Sequence, residues 1–145
     1  MKVVIGADHG GFELKEILKK HMMSKGFDVL DVGTHNTNSV DYPDIARAAC
    51  EKIISEECEW GVLVCGTGIG ISMAANKIKG IRCALVSNEY SAEMTKRHNN
   101  ANVLAFGGRV TGCDLAKNIL DAYINAEFEG GRHKNRIDKI AALEV

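Results

Sequence analysis

Net charge is almost missing from this chain: 18 basic side chains stand against 19 acidic ones, for a formal charge of -1. No overall field recruits nucleic acid or an anionic membrane surface, so any bound anion must be caught by a local cluster of basic residues. Long apolar runs are missing too. No segment approaches the roughly 18–20 apolar residues of a membrane span. The apolar start of MKVVIGADHGG runs straight into glycines and charges and is too short for a signal peptide. The five cysteines, Cys50, Cys58, Cys65, Cys83 and Cys113, form no Cys-x-x-Cys pair and no zinc-finger spacing. An odd, unpatterned set argues against a disulfide framework and for a reducing compartment, so a cytoplasmic location is expected. Repeats, low-complexity tracts and domain linkers are also absent, and 145 residues suit one domain over 1–145.

What is present is an alternation. Short apolar runs at 2–7, 27–32, 61–65, 82–86 and 102–106 read as strands, each nearly continuous in the manner of strands covered on both faces. Helical patterns over 12–24, 43–57, 69–78, 89–98, 114–123 and 134–143 fall between or after them. The only proline, Pro43, suits the first turn of the second helix, with Asp41 a candidate cap. Strand–helix alternation predicts an α/β fold: a Rossmann-like, three-layer α/β/α sandwich around a five-stranded parallel sheet. In such sheets ligands bind beyond the carboxyl ends of the strands.

Two strand ends there carry chemistry. In CGTGIG (65–70) a cysteine is followed by a glycine loop that opens a helix near Ile69. Gly66, Gly68 and Gly70 let the backbone approach a ligand closely, and the unpaired amides at a helix start favour an anion. Tight strand–helix packing would also explain the glycines. The dinucleotide fingerprint and the P-loop lysine are both absent. Cys65, next to those amides, is a candidate thiolate base, since proton abstraction beside a carbonyl needs a base next to donors that hold an oxyanion. A phosphatase-type nucleophile would want an arginine in the loop, and a mere sugar-phosphate sensor would need no thiol. At the first strand end, Asp8 and His9 suit a sugar hydroxyl or a phosphate, with a helix cap by Asp8 as the structural alternative. No second ligand at metal spacing lies on that element, so no metal site is expected.

Farther along, RHNNANVLAFGGR (97–109) places His98 and Asn99 at a helix end and Arg109 just past the fifth strand. On spacing alone His98 is a helix C-terminal cation. In GGRHKNR (130–136), Arg132 and Arg136 share a face if the last helix starts early, an arrangement suited to phosphate.

Together ADHGG, SVDYPDIA, VCGTGIG, RHNNANVLAFGGR and GGRH followed by Arg136 resemble the ribose-5-phosphate isomerase B family, which includes the galactose-6-phosphate isomerase subunits. The match runs from residue 1 to about 142. The resemblance implies a cofactor-independent aldose–ketose isomerase acting on ribose 5-phosphate and ribulose 5-phosphate, or on a six-carbon sugar phosphate. It implies Cys65 as the base at C2, with Thr67 and the amides of Gly66, Thr67, Gly68, Ile69 and Gly70 around the enediolate. His98 is similar to the ring-opening residue, and Asp8, His9 and Asn99 to sugar contacts. Arg109, Arg132 and Arg136 carry over as groups near the hydroxyls or the phosphate. One branch of the family replaces the cysteine by a carboxylate at the close of the loop, a position occupied here by Gly70.

The expected partner is a second copy of the chain, with pairing of dimers left open. Cys65 and His9 follow their strands directly at the carboxyl edge. The helix over 89–98 starts at that edge and carries the chain about 15 Å back. His98 therefore cannot easily reach Cys65 of its own chain, and a two-fold partner resolves the conflict.

Overall fold

The computed structural model describes all 145 residues. Its elements run β1 (Lys2–Ala7), α1 (Phe12–Ser24), β2 (Asp28–Asp31), α2 (Tyr42–Ile54), β3 (Trp60–Cys65), α3 (Ile69–Ala75), β4 (Cys83–Leu85), α4 (Glu89–Arg97), β5 (Val103–Gly107), α5 (Cys113–Ile124) and α6 (Arg132–Ala141). All five strands are parallel, in the order β2-β1-β3-β5-β4.

β1, β3 and β5 form the middle of the sheet, and nearly every residue in them is buried. β2 and β4, read from sequence as equally covered, are edge strands and only partly buried. On one face, Leu14, Leu18 and Met22 of α1 join Ile119 and Leu120 of α5 and Phe106 of β5 in a single core. On the other face, Ala46, Cys50 and Ile53 of α2 pack with Ile71 and Ala75 of α3. Right-handed crossovers produce this division, because the chain reverses direction across the sheet after β2 and again after β4. Small residues on α2 and α3 let these helices lie close to the sheet.

Several boundaries differ from the sequence expectation, for local reasons. α3 stops at Ala75 because the Asn76 amide turns aside to the β4 backbone. It donates to the Cys83 carbonyl at 2.9 Å and accepts from the Cys83 amide at 2.8 Å, standing in for a neighbouring strand. α6 begins at Arg132, directly after Gly130 and Gly131, whose φ values of 69° and 56° are left-handed. The early start puts Arg132 and Arg136 one turn apart on a helix. Asp41 occupies the N-cap of α2 but its side chain makes no capping hydrogen bond, while Pro43 does lie in the first turn.

The strand order reverses between β1 and β3. The loops after these two strands meet at that switch point, where open α/β sheets bind their ligands.

Candidate active site

Close backbone approach builds the carboxyl-edge site. A Cβ on Gly11 would lie 2.5 Å from the carbonyl of Val64, so only glycine lets the turn after β1 rest on β3. Gly68 has φ 78°, and a Cβ there would lie 2.9 Å from the Phe106 carbonyl carbon. The CGTGIG loop is thereby folded back over the thiol. Cys65 is 5% exposed, and the Gly68 amide donates to its sulfur at 3.2 Å. The Ile69 amide donates to Thr67 Oγ1 at 3.2 Å. Two of the loop's amides therefore serve the loop itself, and those of Gly66, Thr67 and Gly70 are left for a ligand.

All five cysteines are free, and Cys65 is set apart from the other four. Burial pushes the Cys50 thiol up to about 12 and also raises Cys83 and Cys58, which keeps them protonated. None of these three has an amide donor on its sulfur.

Asp8 is buried, and its Oδ1 accepts from the amides of Gly10 at 2.9 Å and Gly11 at 3.2 Å. Gly11 is the N-cap of α1, so Asp8 clasps the turn ahead of the helix instead of capping it. The Val40 amide donates to His9 Nδ1 at 3.3 Å. An amide can only donate, so the neutral ring carries its proton on Nε2. Arg109 closes the other side: its Nη1 would lie 3.2 Å from a Cβ on Gly66, and its Cζ 3.4 Å from one on Gly10. Asp8, His9, Cys65, Thr67 and Arg109 thus share one edge of one chain.

Two contributors at this edge were not legible in the sequence. Tyr42 lies against the loop, with its Cζ 2.5 Å from where a Cβ on Gly70 would stand, filling the space a carboxylate side chain there would need. Lys15 is fully buried, and its Nζ bonds Asp31 Oδ2 and the Thr34 carbonyl, each at 2.7 Å. It anchors the segment that runs from β2 to Val40 and so to His9. An amphipathic helix pattern gives no hint that one of its lysines points inward.

His98, Asn99, Arg132 and Arg136 gather at the opposite edge. Gly107 is the register partner of Cys65, and Val103, four residues earlier, begins β5 at the amino edge. That run is roughly 13 Å long, and His98 precedes it. The His98 ring stacks on that of His133 at 4.1 Å between centroids and 8° between planes. His133 is held below the ordinary histidine range by burial and by the charges of His98 and Arg132. Glu129, another residue the sequence did not single out, bonds Arg97 at 2.6 Å. A groove of about 620 Å³ also lies on this side, between Asn76, Ile78, Arg82, Asn99, Ile140 and Leu143. Volume alone points away from the chemistry: burial raises the Cys83 thiol on this wall and keeps it protonated, and the Glu144 carboxylate accepts from the Gly80 amide at 3.0 Å. The single chain therefore carries two clusters of candidate residues on opposite edges.

Known proteins match this arrangement over nearly its whole length. The profile of the ribose/galactose isomerase family matches residues 3–140. Ribose-5-phosphate isomerase B of Escherichia coli is 46% identical over 143 residues, covering 99% of this chain and 96% of that protein. Among solved structures, Clostridium thermocellum ribose-5-phosphate isomerase B superposes with a TM-score of 0.97 at 50% identity, covering 99% of this chain and 97% of its own. The Mycoplasma genitalium enzyme with bound ribulose-5-phosphate superposes with a TM-score of 0.93 at 41% identity, covering 97% and 94%. The chain belongs to the ribose/galactose isomerase family.

Proposed function

We propose that the protein interconverts D-ribose 5-phosphate and D-ribulose 5-phosphate, in the cytoplasm, as a step of the pentose phosphate pathway. The observation that carries this reading is Cys65 held under a loop of bare amides, with Gly68 already donating to its sulfur. Thiolate Cys65 takes the proton from C2 of the open-chain aldose. The electron pair forms the C1–C2 double bond and leaves charge on O1, which the amides of Gly66, Thr67 and Gly70 and the Thr67 hydroxyl receive. Cys65 returns the proton to C1 as the O2 hydroxyl gives up its own and O1 is protonated. Asp8 and His9 hold sugar hydroxyls, and Arg109 lies over the same opening.

Ring opening needs an acid–base group, and phosphate needs cations. In this reading His98 supplies the first, Asn99 a sugar contact, and Arg132 and Arg136 the second, all from a two-fold partner. The working unit is then a homodimer with two shared sites, and phosphate binding holds C1 and C2 against Cys65. The test is incubation of the pure protein with ribose 5-phosphate and measurement of ketose formed, with allose 6-phosphate and galactose 6-phosphate as comparators. Absence of ribulose 5-phosphate under conditions that turn over a six-carbon substrate overturns the five-carbon assignment.

A further inference from the structure

The sequence places no set of metal ligands on any one element, but the fold collects one from three. His98 caps the end of α4. The Glu129 amide donates to the Arg97 carbonyl at 3.0 Å, which pins the loop before α6 against that helix end. His133 lies in the first turn of α6. Glu129 Oε1 is 3.5 Å from His133 Nε2, and Glu129 Oε2 is 3.8 Å from His98 Nε2. The ligand atoms of all three lie within 4.8 Å of one another.

Zinc held tetrahedrally by nitrogen and oxygen at 2.0–2.1 Å needs ligand atoms about 3.3–3.4 Å apart. Both glutamate–histidine spacings lie within about half an ångström of that. The two imidazoles do not yet converge, because stacked, parallel rings aim their lone pairs side by side. The side chain of His133 is only 8% exposed, whereas that of His98 is 37% exposed and borders solvent into which its ring can rotate. The geometry therefore offers a preformed Glu129–His133 pair and a third arm that swings in.

We propose that His98, Glu129 and His133 form a reversible site for a zinc-class transition metal ion, and that filling it withdraws His98 from the sugar. Two imidazoles and one carboxylate suit Zn²⁺, Co²⁺ or Ni²⁺ and not the oxygen-demanding Mg²⁺ or Ca²⁺. Arg97, on Glu129 at 2.6 Å, and the neighbouring Arg132 oppose a divalent cation. They set the affinity of an inhibitor that comes and goes, not of a resident cofactor. The inhibitory consequence rests on His98 acting in ring opening, whereas the binding does not.

The experiment separates the two. Co²⁺ is titrated into the full-length protein, and into Glu129→Gln and His133→Asn, with the visible d–d spectrum followed and Zn²⁺ added to displace it. Zn²⁺ inhibition of ribose 5-phosphate turnover is measured on the same proteins, each relative to its own metal-free rate. Glu129 is exposed, so its variant keeps the fold testable if His133→Asn does not. The expected result is one Co²⁺ per chain, displaced by Zn²⁺. Each substitution should weaken affinity by more than the roughly 10–100-fold that loss of a mere supporting partner costs, and relieve inhibition in parallel. Undiminished binding in both variants overturns the site, as does a thiolate–cobalt charge-transfer band that vanishes in Cys65→Ala. Binding at the cluster with turnover unchanged overturns the inhibitory role. Failure of the metal-free protein to isomerise would instead count against the function, with the cobalt spectra still deciding the site.

Discussion

The Gly68 amide donates to the sulfur of Cys65 across 3.2 Å, and the same Gly68 is held at φ 78° with no room for a Cβ. One backbone turn thus fixes the donor on the thiol and the shape of the loop that faces the ligand. The sulfur has a hydrogen-bond donor before any substrate arrives.

Cys65→Ala should lose isomerase turnover by roughly 10²–10⁴-fold, the usual contribution of a general base. Circular dichroism and phosphate binding should be nearly unchanged. Retention of most of the turnover would remove Cys65 as the base. In the parent protein, substrate should protect the thiol from an alkylating reagent.

Gly68→Ala forces a side chain into left-handed backbone and against Phe106, so a loss of about 1–3 kcal/mol in stability is expected. Thiol alkylation should change with it as the amide leaves the sulfur. Gly112→Ala is the control: nothing lies within 4 Å of its added Cβ, and its cost should stay below about 1 kcal/mol. Equal melting temperatures for the two variants would contradict the strain argument.

Inactive Cys65→Ala and inactive His98→Ala, mixed and allowed to exchange subunits, should regain activity. Random pairing makes about half the dimers mixed, each with one intact site, so roughly a quarter of all sites revive. Demonstrated exchange without recovery would mean that the two residues do not share a site across chains.

Replacing Arg132 or Arg136 by Ala should weaken sugar-phosphate binding by about 1.5–3 kcal/mol, the value of a charge-assisted hydrogen bond. Inorganic phosphate should compete well in the parent and poorly in both variants. Equal inhibition in all three would place the phosphate elsewhere.

Asp31 predicts an acid limb of stability. Burial pushes its carboxyl up, but hydrogen bonds from Lys15, the Gly33 amide and Lys19 outweigh this and hold it below the usual value of 3.8. A depressed folded-state pKa means that the contribution is complete above the unfolded value and disappears as pH falls through the folded one. Lys15→Met should therefore cost roughly 3 kcal/mol near neutral pH, as expected for breaking a buried pair. Asp31→Asn should flatten the loss of stability below about pH 4. Melts across pH that show the same acid limb in parent and Asp31→Asn would assign it to another group.

By itself the sequence determined the alternation of elements and which strand ends carry the chemistry. Apolar runs of strand length can be satisfied only by burial, and Cys65 and Asp8 follow their strands with no intervening residues in which to wander. The early glycine pair before α6 likewise made a shared face for Arg132 and Arg136 readable. Strand order was decided only by tertiary structure, because pairing of β3 with both β1 and β5 depends on crossovers that no local pattern encodes. The same holds for Lys15 on Asp31, Tyr42 against Gly70, and the Val40 amide on His9. These contacts join residues 16 to 31 positions apart, and the polar ones are invisible in periodicity, which records only the average of a face. The meeting of His98, Glu129 and His133 follows the same physics: three segments converge because a helix end, a loop and a helix start are packed together, and sequence spacing does not record packing.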